Sequence, residues 1–131
     1  MPSSASSRPS IAVPIVFDAA LIVLFAVIGR LSHGEEADAA GVATTAWPFL
    51  AGAAIGWLAS LAWRAPFALV RAGVPIWVGT VALGMVFRVL DGTGIEVSFV
   101  IVAAIVLGVF LLGWRAIARP LLRRRGARGR A

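Results

Sequence analysis

The 131-residue chain is 60% hydrophobic, with twelve basic residues, six acids, one His, no Cys and a formal net charge of +6. Its mean hydropathy is +0.95, and its long apolar stretches have no polar face, which excludes a soluble helical domain. Without Cys there is no disulfide, thiolate nucleophile or thiolate metal site. The pattern predicts an all-α integral membrane fold, a single four-transmembrane-helix bundle in the cell (inner) membrane.

Residues 1–10 are rich in Ser and Pro and read as a disordered N-terminal tail. The transmembrane module is expected over 11–115, with spans at about 11–30, 47–63, 73–90 and 95–114. Span one contains Asp18, about two turns in from its start. A cleaved signal peptide is the competing reading of this span, with Arg8 as its basic region and residues 39–43 as a crude cleavage zone. The apolar run is long for that role and Asp18 interrupts it, so the span is expected to be retained. The following loop holds His33, Glu35, Glu36 and Asp38. One His at flexible spacing is a poor ligand set, so an ordinary solvated acidic loop is expected in place of a metal site.

Span two opens with Trp47 and Pro48, and Pro is tolerated in a first helical turn. Gly52, Gly56 and Ser60 follow at successive i+4 positions, a small-residue stripe that lets helix backbones approach closely in lipid. Span three carries Thr80 and Gly84 on the face of Arg88, and span four carries Ala104 and Gly108 on the face of Arg115. Both arginines should therefore point along packing faces. Arg30 shares a face with Ala19 and Ala26. Residues 116–131 form a basic tail.

Charge sets the orientation. Arg8, Arg64, Arg71 and the seven arginines from Arg115 onward make ten on one side, against Arg30 and Arg88 on the other. The positive-inside rule places both termini in the cytoplasm, as an even number of spans requires. Trp47 near one boundary and Trp63, Trp77 and Trp114 near the other suit an aromatic belt, while Trp57 lies deeper and should pack between helices. Spans two and four each contain Gly-Trp and end in Trp-Arg, a hint that two hairpins are tandem copies.

Asp18 is the sharpest signal, because an intramembrane acid faces the bundle interior with a partner or carries function. One reading is a structural ion pair with Arg115 or Arg64, with Arg115 preferred for its small-residue face. The other is a carboxylate that couples transport to protons or another cation. Arg30 and Arg88 either frame an anion site or snorkel and pair with nearby acids, and the second account is preferred. The basic tail is expected to contact anionic lipid headgroups. It has no aromatic residue to stack bases, so no nucleic-acid partner is expected. No Gly-x-Ser-x-Gly elbow, phosphate loop or HExxH helix is present, so neither enzymatic activity nor a cofactor is expected.

Asp18, the run Gly29-Arg30-Leu31-Ser32-His33, Trp47-Pro48-Phe49 with Gly52, Gly56 and Trp57, Gly84 with Arg88, Phe99-Val100 with Val102, and Gly113-Trp114-Arg115 form an ordered set. Over about residues 14–116 this set resembles the domain-of-unknown-function 3054 family of small bacterial and archaeal membrane proteins. The resemblance implies a four-span membrane protein and supplies no activity. Two functional readings remain: a structural or accessory bundle that binds a membrane-protein partner, lipid or further copies of itself, and a small transporter or channel, in which Asp18 would carry any proton coupling.

Overall fold

The computed structural model describes residues 11–130, with side chains through residue 124. Four helices are long and apolar enough to cross a membrane, and no strand occurs among the described residues. They are α1 (Ala12–Ser32), α2 (Ala39–Ser60), the segment Leu69–Leu90, whose regular α-helical part is α3 (Val74–Leu90), and α4 (Val97–Arg130). A 3-10 turn (Ala62–Arg64) and a π-helical turn (Leu69–Gly73) connect α2 to α3. The N-terminal tail expected at 1–10 lies outside the described residues.

The helices differ in extent from the expected spans. α2 starts at Ala39, eight residues before Trp47, because the Asp38 carboxylate accepts a hydrogen bond from the Gly41 N–H at 2.9 Å and caps the helix. Pro48 is therefore inside the helix, not in its first turn. There it removes the bond that its N–H would have made to the Thr44 carbonyl. Pro14 is the residue near a helix start, third in α1, where an N–H has no intrahelical partner to lose. The basic segment after Arg115 continues α4 as helix.

α2 and α3 make the most extensive contact in the bundle. Glycine makes this possible. A Cβ at Gly52 would come within 2.5 Å of the Gly79 carbonyl oxygen, and one at Gly56 within 3.0 Å of the Ile76 Cα. The two backbones thus touch along the small-residue stripe. Gly84 accommodates the fully buried Phe49 ring, which a Cβ would approach to 2.5 Å. Gly108 of α4 lies against the Trp77 indole, whose Nε1–H donates to the Ala104 carbonyl at 2.9 Å. Trp77 thus joins α3 to α4 in addition to any role at the membrane boundary. Phe25, Phe49 and Phe99, from α1, α2 and α4, form an aromatic cluster with centroids 5.3–6.3 Å apart.

The two turns at the opposite end from the π-helical turn are built alike. Arg30 donates from Nε to the Glu36 carbonyl and Arg88 donates from Nε to the Gly94 carbonyl, each six residues ahead. Each arginine's own carbonyl accepts from the N–H five residues on, Glu35 at 2.8 Å and Thr93 at 3.0 Å. Gly34 and Gly92 occupy equivalent left-handed positions, with φ of 70° and 81°. The next helix starts nine residues after each arginine, at Ala39 and Val97. The two hairpins share one turn design, a closer correspondence than the Gly-Trp and Trp-Arg pairs alone.

Candidate functional site

α1 enters the bundle almost wholly apolar, yet its seventh residue, Asp18, is 2% exposed. Arg115, from the far end of the module, is fully buried. They meet as a two-pronged ion pair, with Arg115 Nη1 donating to Oδ1 and Nη2 to Oδ2, both at 2.8 Å. The planar guanidinium suits this parallel arrangement.

Two indoles complete the carboxylate shell. Trp57 Nε1–H of α2 donates to Asp18 Oδ2 at 2.9 Å, and Trp114 Nε1–H of α4 donates to Oδ1 at 2.8 Å. Each oxygen thus accepts two donors, which uses the roughly four lone-pair sites of an ionised carboxylate. Arg115 also donates from Nε to the Pro66 carbonyl at 2.9 Å and from Nη1 to the Leu111 carbonyl at 3.0 Å. Among the described residues no buried side-chain nitrogen or oxygen lacks a partner.

Surrounding packing fixes these groups. Trp114 is stacked on Phe17 at 5.1 Å and meets Phe67 edge-on at 5.5 Å. The Arg115 stem passes Gly73, where a Cβ would come within 3.1 Å of Arg115 Cδ. One charge centre therefore ties together α1, α2, the connection before α3, and α4.

Sequence reasoning pointed to Asp18 and Arg115 but missed Trp57 and Trp114 as donors. It treated Trp114 as part of an aromatic belt and Trp57 as simple packing. A signal was present: a deep indole N–H needs an acceptor, and Asp18 is the acid that lies deep within a span.

A family model matches residues 15–118, a stretch that begins just before Asp18 and ends just after Arg115. The chain belongs to the family described as "Protein of unknown function (DUF3054)". The match encloses all four residues of the charge centre and both hairpin turns. No curated protein and no solved structure matches the chain.

The other sequence candidates have separate tasks. Arg30 pairs with Glu35 at 3.1 Å and donates to the Thr45 hydroxyl at 3.1 Å, which ties the first turn to α2. Arg88 lies 4.3 Å from the centroid of the Phe99 ring, a cation–π contact between α3 and α4. Arg30 is thus paired with an acid of its own loop, whereas Arg88 is held by the Gly94 carbonyl and the Phe99 ring, with no ion pair to an acid among the described residues. His33 is exposed, and its Nδ1 lies 2.9 Å from the Gly29 carbonyl oxygen. Gly52, Gly56, Gly84 and Gly108 are all buried at helix contacts.

A groove of about 400 Å³ lies beside the charge centre, between α1 and α2. Ile15, Ile22, Ala53, Trp57 and Trp63 are among its walls, and Asp18 is its acidic member.

Proposed function

We propose that this protein is a non-enzymatic accessory bundle of the inner membrane, with both termini cytoplasmic, that binds a membrane-protein partner, lipid or further copies of itself. The observation that carries this reading is the saturated Asp18 carboxylate, with two donors on each oxygen. A proton-coupling acid must exchange its proton during the cycle. Here, protonation would cost the carboxylate its pairing with a fully buried guanidinium. That arrangement suits a fixed structural element.

The groove beside Asp18 favours a second reading, a small transporter whose substrate reaches the carboxylate from between α1 and α2. Proton flux separates the two. In sealed liposomes with an imposed pH gradient, the accessory reading expects parent protein and Asp18→Asn to show no proton or cation flux above empty vesicles. It also expects Asp18→Asn to reduce the amount of folded protein in membranes. Gradient-driven flux by the parent, lost in a folded Asp18→Asn variant, would establish the transporter reading.

A further inference from the structure

The end of the bundle that holds the charge centre is rich in cations and poor in anions. Among the described residues, Arg64, Arg71, Arg119, Arg123 and Arg124 are exposed there. The described ion pairs at this end reduce to Asp18 with Arg115, so these five guanidinium groups have no acidic partner among the described residues. Two of them border a defined cleft. Leu69, Arg115, Ala116, Arg119, Pro120 and Arg123 line an open cleft of about 360 Å³ between the π-helical turn and α4.

The helix repeat creates this cleft. Arg115, Arg119 and Arg123 are spaced i+4 along α4, so they project on one side about 6 Å apart per step. Asp18 neutralises the innermost charge, leaving Arg119 and Arg123 to present an uncompensated pair at the mouth. Guanidinium groups in this arrangement match the oxygens of a phosphate. The neighbouring surface is apolar. Leu69, Ala116 and Pro120 form the apolar part of the cleft wall. A ligand that satisfies both surfaces is an amphiphile with an anionic phosphate.

We propose that this cleft seats the headgroup of one anionic phospholipid, with its phosphate on Arg119 and Arg123 and its glycerol and first acyl carbons along Leu69 and Pro120. The inference rests on the lipid-binding part of the proposed function and gives it a place. It differs from general attraction to a basic tail, because shape as well as charge defines the site.

The test titrates full-length protein in non-ionic detergent with phosphatidylglycerol bearing a fluorescent acyl chain. Phosphatidylcholine of the same chain length and inorganic phosphate serve as comparison arms. Saturable binding of phosphatidylglycerol is expected, with neither comparison ligand competing at matched concentration. Arg119→Gln/Arg123→Gln should weaken binding roughly 30-fold, as expected for two juxtamembrane charges. Arg64→Gln/Arg71→Gln removes the same charge from outside the cleft and should weaken it less than about threefold. Ala116→Phe keeps every charge, fills the cleft and should also weaken binding. Equal losses from the two charge variants, or no loss from Ala116→Phe, would overturn the cleft while leaving general lipid contact standing. Competition by inorganic phosphate would overturn the lipid assignment. No binding by the parent would overturn both the cleft and the lipid-contact reading. Unchanged thermal unfolding of each variant shows that folding is not the cause, since none of these substitutions touches the Asp18–Arg115 pair.

Discussion

Trp57 and Trp114 reach one carboxylate from two different helices and hold opposite oxygens, at 2.9 and 2.8 Å. Arg115 alone would satisfy half of the Asp18 acceptor capacity. The indoles satisfy the rest and fix the plane in which the guanidinium must lie.

Removing either indole donor leaves a buried acceptor short of a partner. Trp57→Phe and Trp114→Phe should each lower stability by about 1–3 kcal/mol. The effect beyond lost packing is isolated by placing the same substitution at Trp47, which is 41% exposed and stacks on Phe87 without donating to Asp18. Thermal unfolding in detergent provides the comparison, and equal shifts at all three positions would refute a special role for the indole N–H groups.

The ion pair should behave as a unit. Asp18→Leu or Arg115→Met alone strands a buried charge or its polar partners and should cost about 3–5 kcal/mol. The combination Asp18→Leu/Arg115→Met replaces both charges with apolar groups and should recover a large part of that loss. A double variant whose destabilisation equals the sum of the singles would show that the pair is not coupled.

Glycine substitutions should separate by location. Gly52→Ala drives a methyl toward the Gly79 carbonyl, which is backbone and cannot swing aside, so about 1–3 kcal/mol of destabilisation is expected. A Cβ at Gly113 meets nothing within 4 Å. Gly113→Ala should be neutral or stabilising by up to about 1 kcal/mol through helix propensity. Unfolding midpoints of the two variants provide the check.

The matched hairpin turns should respond alike. Gly34 and Gly92 both have positive φ and open space around the missing side chain. Gly34→Ala and Gly92→Ala should each cost about 1–2 kcal/mol from backbone strain alone. A large cost at one and none at the other, in the same unfolding assay, would show that the shared design has no energetic counterpart.

The proposed orientation makes a separate prediction. Reporter fusions after residue 131 should report cytoplasm, and fusions near Asp38 should report the opposite side, as the ten-to-two arginine split requires. An external C-terminal signal would reverse the topology and with it the leaflet that supplies the Arg119–Arg123 cleft.

The four helices were legible because an apolar run of membrane length has few other uses. Asp18 and Arg115 were legible as a pair because the start of span one and the end of span four lie on the same side of the membrane, and an intramembrane charge needs a partner. The start of α2 was not. Its first eight residues are small or polar, so hydropathy missed them, whereas the Asp38 cap acts through a backbone hydrogen bond that hydropathy does not register. The roles of Trp57 and Trp114 were hidden because the same indole serves a belt, a packing contact or a donor. Only the rotation of α2 and α4 relative to α1 selects among these, and that depends on contacts such as Gly52 with Gly79 that distant segments make together.

The partners of the ion pair are 97 positions apart, one in the first helix and one in the last. During synthesis, Asp18 enters the membrane long before Arg115 is available. A chain that stops before α4 keeps the Trp57 donor but lacks both Trp114 and the guanidinium, so its carboxylate is left with one of its four donors. The charge centre is therefore also a completeness check. It closes only when the final span arrives, and interrupted chains are chemically distinct from finished ones at a single residue near their beginning.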